Sequence, residues 1–215
     1  IQMMNVVDDV LVIEEKGIYS VEKFLMSRRL MYWQAYLHKT SLVAELILTK
    51  VLKRAKELTL KGVQLPCSEP LLFFLQNRIT HEDFNFNTLD LFSQLDDFDM
   101  ISALKAWQRQ DDFILSSLSK MIINRDLPKI KVVTDKSLLD EIAPLQERFA
   151  AQNKISISDT NYFVFKGKIK NQAYSKEAEP IRILKKDKTI EDVVEASDQL
   201  NLKSLSKLVT KYYIC

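Results

Sequence analysis

Residues 21–61 contain neither proline nor glycine. Within them, apolar side chains recur at Val21, Phe24, Leu25, Met31, Tyr32, Ala35, Leu42, Val43, Leu46, Val51, Leu52, Ala55 and Leu58. That spacing follows the 3.6-residue period of an amphipathic helix, and Lys61-Gly62 ends it. At about 1.5 Å per residue, such a helix reaches roughly 60 Å. A helix so long needs partners along its length, or it bends. Ser20 is the expected N-cap, with Glu22 in a first turn favoured by the helix dipole.

The flanking segments fall into place around it. Residues 5–13 are β-branched and short, fitting a strand or the end of an element begun upstream, and Glu14-Glu15-Lys16-Gly17 reads as a turn. Pro66 and Pro70 bracket a helix start at 71–75. Thr80 and Asp83 have the spacing of a capping box, followed by Leu89, Phe92 and Leu95. Asp97 opens a helix to Trp107, and Asp111-Asp112 opens another carrying Ile114, Leu115, Leu118, Met121 and Ile122. After Pro128 the pattern changes. Strands are expected at 130–134, 162–170, 181–184 and 212–215, and helices at 137–151, from Thr189, and at 200–209. The fold expected is mainly α: a long central helix in a multi-helix body (1–126), then a small α+β lobe with a short antiparallel sheet (127–215).

Composition removes several function classes. Of 215 residues, 47% are hydrophobic and 28% charged, enough to build a core. The longest purely apolar run, 71–75, is far short of the roughly 18 residues that span a bilayer. The three glycines are too dispersed for either a GxGxxG turn or a P-loop. Two histidines, His38 and His81, exclude a site needing three or four His ligands from this chain. Cys67 and Cys215 are too far apart in sequence to suggest a zinc ribbon or a disulfide scaffold, so a reducing, cytoplasmic setting is expected. A net charge of +2 gives no case for nucleic acid.

The densest chemistry lies inside the long helix. Arg28, Tyr32 and Tyr36 are spaced i, i+4, i+8, which makes one stripe about 12 Å long. A guanidinium offers a two-pronged fork to phosphate, and two phenols offer flat faces and hydroxyls. The same spacing fits buried tyrosines beside a surface arginine. His38 and Lys39 are turned away from the stripe. Asp96, Asp97 and Asp99 lack the Gly and Glu of a calcium loop and read as helix caps. Lys185-Lys186-Asp187-Lys188 reads as a hairpin turn.

The string RRLMYWQAYLHK, residues 28–39, resembles the region downstream of the catalytic motif in HD-domain phosphohydrolases of the dNTP (dGTP) triphosphohydrolase branch. There an arginine is followed by an aromatic residue or His four on, then by Tyr, then by His-Lys. Arg125-Asp126-Leu127-Pro128-Lys129 resembles that family's R-x-L-x-K. The resemblance covers roughly 14–60 and 97–129. It implies that Arg28 contacts substrate phosphate, that Tyr36 packs on the deoxyribose, and that Tyr32 stands where relatives have an active-site His. It also implies that His38, Lys39, Arg125 and Lys129 contact an activating nucleotide between subunits, hence a homo-oligomer. Tyr32, and Leu37 in place of a polar residue, depart from the pattern and leave room for another phosphorylated small molecule as substrate.

The family's metal site needs a His, an adjacent His-Asp pair and a further Asp. Here His38 precedes Lys39 and His81 precedes Glu82. The resemblance therefore places the divalent ion (Mg, Mn or Fe) and the catalytic half N-terminal to Ile1. The chain alone is then expected to have no catalytic residue or metal ligand, and no activity. The alternative reading is a non-catalytic helical protein-interaction module.

Overall fold

The computed structural model describes residues 2–178, 180–198 and 206–215. The architecture is mainly helical with a small α+β part. Two compact units share the chain: Ile1–His38, Val133–Asp135 and Lys168–Tyr212 form the first, and Lys39–Val132, Lys136–Gly167 and Tyr213–Cys215 the second.

In the first unit, β1 (Met4–Val7) and β2 (Val10–Glu14) form a hairpin with Val7 opposite Val10. Asp8 and Asp9 turn it with φ of 48° and 62°. Both are left-handed, the geometry that matches the twist of the paired strands. β2 then pairs in parallel with β5 (Arg182–Leu184), Ile13 beside Ile183, and β5 pairs antiparallel with β6 (Ile190–Asp192), giving the order β1-β2-β5-β6. The lysine-rich turn between β5 and β6 closes as its composition suggests, with Lys185 N–H donating to the Thr189 carbonyl at 2.9 Å.

Helix α1 (Ile18–Met31) packs Ile18, Val21 and Leu25 against Tyr174, Ile183 and Val193. Its cap lies three residues before the expected one. Gly17, not Ser20, is the N-cap, and a Cβ at position 17 would sit 2.6 Å from Ile13 Cγ2. Glu22 is buried rather than a solvated partner of the dipole, and accepts a hydrogen bond from the Ser197 hydroxyl. The buried Asp192 carboxylate likewise accepts from the Tyr174 hydroxyl, whose oxygen accepts from Ile181 N–H at 3.0 Å. The buried Glu22 and Asp192 carboxylates thus each have a partner, as a low-dielectric interior requires.

The single helix expected over 21–61 is broken. After α1, residues Tyr32–Tyr36 form a wider π-type turn, in which Leu37 N–H reaches back five residues to the Tyr32 carbonyl at 2.7 Å. Leu37 leaves helical geometry (φ −99°, ψ 15°), and α2 (Lys39–Leu60) begins afresh. The reason is packing. No side chain between Leu25 and Leu42 is buried, so nothing holds a straight helix through that stretch.

In the second unit, α2 buries Val43, Ile47, Val51, Ala55 and Leu58 along one stripe. Around it lie α3 (Glu69–Gln76), α4 (Phe86–Ser93), α5 (Asp97–Trp107) and α6 (Phe113–Ile123). Asp96 and Asp99 form a complete capping box on α5, and the Asp112 carboxylate accepts from Leu115 N–H at 2.8 Å on α6. The Thr80–Asp83 pair also forms, at 2.9 Å from Thr80 N–H, but closes a turn; the helix that follows is capped by Asn85. Residues 136–141 form a short 3-10 segment before α7 (Ile142–Asn153), followed by α8 (Ile157–Thr160).

A three-stranded sheet has the order β3-β7-β4, from Lys131–Val133, Val209–Ile214 and Lys166–Asn171. Gly167 is required there because any Cβ would overlap the Tyr213 ring. The short helix expected from Thr189 is instead β6 followed by α9 (Val193–Ala196), which Asp192 caps. The helix expected at 200–209 lies largely outside the described residues. Among those described, no helix is long and apolar enough to cross a membrane.

Arg54 on α2 grips Asp112 with two hydrogen bonds, 2.5 and 3.1 Å, clipping α2 to the start of α6. Burial pushes the Asp112 carboxyl up, but the Arg54 hydrogen bond, the Leu115 and Ile114 amides and the Arg54 charge outweigh it. Its pKa lies below the usual range. A carboxyl lowered on folding stabilises the protein above its unfolded value of about 3.9, and that contribution is lost as pH falls through the folded value. Asp112→Asn should therefore cost about 2 kcal/mol in urea unfolding near pH 7. The deficit should shrink as the pH falls below the unfolded value of about 3.9. A deficit independent of pH contradicts this account.

Candidate functional site

Two local features place the Arg28 guanidinium. Arg28 occupies the last turn of α1, where a cation is favoured by the helix dipole. Its Cζ also rests 5.8 Å from the Tyr32 ring centroid. The Tyr32 and Tyr36 rings continue the column, 5.2 Å apart and tilted by 45°. The stripe expected from the i, i+4, i+8 spacing therefore exists, although its last step runs through the wide turn. Arg28 and Tyr32 are half-buried, and Tyr36 is 57% exposed. Among the described residues, no carboxylate forms an ion pair with Arg28.

That combination has a chemical consequence. Contact with an aromatic face is worth about 0.5–1 kcal/mol near the surface, and it leaves the guanidinium's edge donors unused. An anionic oxygen pair can take that edge in two parallel hydrogen bonds. The phenols beside it offer a ring face and a hydroxyl at the exposed end.

One turn before Arg28 stands Phe24, 59% exposed. It borders a groove of about 920 Å³ between α1 and the β1–β2 hairpin, walled by Met3, Met4, Leu11 and Ile181, with Arg182 at its margin. A further cation lies nearby in the first unit, where Lys211 on β7 places its ammonium 3.8 Å from the Trp33 ring centroid. Sequence reasoning missed Lys211. It is far from Trp33 along the chain, and no local pattern marks such a contact.

The four residues assigned by resemblance to an activating nucleotide are all exposed. His38 is at the helix break in the first unit, and the other three belong to the second. Lys39 opens α2, Arg125 follows α6 with a left-handed φ of 57°, and Lys129 lies in the link to β3. His38 and Lys39 are consecutive, and Arg125 and Lys129 are four residues apart after α6. His81 is exposed in the 80–83 turn rather than in a first helical turn. Among the described residues, no group of three or more His, Cys, Asp or Glu side chains could hold a metal ion. The described residues therefore do not supply the donor set that the resemblance calls for.

Lys50 on α2 is also displaced from its ordinary value. Burial and the neighbouring Lys53 charge lower the Lys50 ammonium to about 8, against a smaller opposing effect from Cys215. It donates to the Asn161 carbonyl at 2.6 Å and sits 4.1 Å from the Phe165 ring centroid. These contacts tie α2 to the segment before β4.

Residues 1–65 match the family described as the HD associated region. The chain is 36% identical over 129 residues to the uncharacterized protein YwfO of Bacillus subtilis (strain 168), covering 59% of this chain and 28% of YwfO. The crystal structure of a phosphohydrolase from Bacteroides thetaiotaomicron VPI-5482 matches with a TM-score of 0.87 and 47% identity, over 100% of this chain and 54% of that one. A hypothetical protein from Aquifex aeolicus, at 17% identity and TM-score 0.56 over 99% of this chain and 45% of that one, shares the fold. The chain thus spans about half the length of these two structures and a little over a quarter of YwfO. The family match and the full-length likeness to a phosphohydrolase together support an HD-domain-associated region of a phosphohydrolase.

The wide turn should be removable. Deleting Gln34, an exposed residue within it, takes out the residue that widens the loop. The backbone should then join in the ordinary four-residue pattern, rotating the Tyr36 side chain by about 100° away from Tyr32. Amide NOEs and carbon shifts across residues 28–42 read this directly. A deletion variant that keeps the five-residue link contradicts it.

Proposed function

We propose that this chain is the part of an HD-type nucleotide phosphohydrolase that grips the substrate. The observation that carries the reading is the Arg28 guanidinium: half-buried, stacked on Tyr32 and without a carboxylate partner among the described residues. An arginine placed so is suited to an incoming phosphate. Tyr36 offers its face to a sugar, and Tyr32 holds Arg28 in place from the other side. The substrate is a dNTP, cleaved by water to deoxynucleoside and triphosphate. The divalent ion (Mg, Mn or Fe) and its ligands belong to residues of the longer protein outside these 215. This chain's own side chains bind and orient; none of them transfers a proton. His38, Lys39, Arg125 and Lys129 serve an activating nucleotide when subunits of a cytoplasmic homo-oligomer meet.

A second reading, a helical interaction module, is favoured by one feature. Leu30 and Met31, immediately beside the column, are 50% and 47% exposed. Apolar side chains at such positions fit a protein surface equally well.

The two readings part in one assay. The full-length protein, supplied with dNTPs and Mn²⁺ or Mg²⁺, should release triphosphate, whereas this chain alone should not. In the full-length protein, Arg28→Ala should raise KM for the nucleotide at least about tenfold, the worth of a lost charge-assisted hydrogen bond. Turnover by the isolated chain removes the need for an ion site elsewhere, and unchanged kinetics remove Arg28 from the pocket. No turnover of any nucleotide by the full-length protein favours the module.

A further inference from the structure

The second unit contains a cavity that the reading above does not use. It measures about 870 Å³ and lies among α2, α3, α4, the start of α5 and the turn at 80–84. That volume is within the roughly 300–1,000 Å³ of small-molecule sites. Its floor is apolar, with Leu52, Leu75, Leu95 and Met100 among its residues. One wall is aromatic and already assembled: Phe92 meets Phe74 and Phe84 edge-on, at 6.0 and 6.3 Å between ring centroids. Phe84 and Phe92 nevertheless remain 47% and 56% exposed, which leaves ring surface for an occupant.

The charged side chains at its margin, Lys53 and Lys56, share one sign. Lys53 and Lys56 are three apart on α2, hence on one face, and His81 comes from the facing turn. No carboxylate is among the described residues that line it. Lys56 is held in place by the Phe74 and Asn77 carbonyls, at 3.0 and 2.9 Å. An ammonium has three donors, so one is left for another acceptor. The turn is equally fixed. Asp83 accepts from both the amide and the hydroxyl of Thr80, at 2.9 and 2.7 Å, and the buried Thr88 hydroxyl bonds the Asp83 carbonyl at 2.9 Å. Those hydrogen bonds hold the Asp83 carboxyl below the usual range, engaged within the turn.

We propose that this cavity binds a small amphipathic carboxylate, its apolar body on the Leu–Phe floor and its single anionic head between Lys53 and Lys56. Charge complementarity selects the ligand. A neutral apolar molecule offers no charge to the third Lys56 donor or to Lys53, and a purely ionic one leaves the aromatic wall in water.

The probe is octanoate, titrated into the full-length protein by calorimetry and by amide NMR, with 1-octanol as the uncharged control. Octanoate should saturate one site, with shift changes confined to α2–α5 and the 80–84 turn. Octanol should bind at least about tenfold more weakly, the discrimination expected from a charged hydrogen bond. Lys53→Glu, at an exposed position that the fold tolerates, should weaken octanoate by a similar factor and leave octanol unchanged. Phe92→Ala should weaken both. The proposal is overturned by non-saturating octanoate, by octanol binding as tightly as octanoate, by an unchanged Lys53→Glu variant, or by shifts elsewhere in the protein. It is also overturned if an acidic amphipathic peptide binds this face while octanoate does not, which would give the cavity to a protein partner.

Discussion

A helix is straight only while something packs against it, and between Leu25 and Leu42 no side chain is fully buried. Much follows from that gap. The chain ends one helix, passes through a five-residue-spaced turn and starts another. The same stretch is where the two compact units divide, between His38 and Lys39. It also carries the apolar and aromatic side chains Leu30, Met31 and Tyr36, each roughly half-exposed. A π-type turn costs hydrogen-bond geometry, and such turns gather at functional positions. Here the widened loop keeps Tyr36 against Tyr32 while ending the helix, so the column at Arg28 and the break are one feature.

Local signals in the sequence were legible wherever the interaction is local. Asp96 and Asp112 open helices because their carboxylates reach backbone amides two or three residues on. The periodicity of α2 and α6 directly marks their buried faces. Errors arose where a local pattern is satisfied in a different setting. Thr80 and Asp83 make both hydrogen bonds of their box without a helix behind them, because Asn85 takes the cap. Ser20 had the right chemistry for a cap, but Gly17 allows α1 to begin against Ile13, where a side chain would clash. The apolar period continued through residues 26–41, yet periodicity records which face would be buried, not whether a partner is there.

Distant pairings had no local signature. Ile13 beside Ile183 joins the second strand of the sequence to a late one, and neither segment's composition names the other. Glu22 shows the same limit. Read alone it is a first-turn acid, yet its carboxylate is buried and answered by Ser197, far along the chain. A buried acid is tolerated only with such a partner, and that partner is invisible until the sheet is formed. Lys211 on Trp33 belongs to the same class.

The contact of Arg28 with Tyr32 was legible in the sequence, because a helix places residues four apart on one face. What spacing could not give was the state of Arg28. In the second unit Arg54 is clamped by Asp112 and Glu57, so its positive charge is already answered. Arg28 has an aromatic face and no carboxylate among the described residues. Two helical arginines thus differ in what they can still bind. A neutralised guanidinium adds little to an incoming anion. One held by a ring keeps its fork of donors directed outward, and the exposed Tyr36 beside it provides the surface that a phosphate alone would not need.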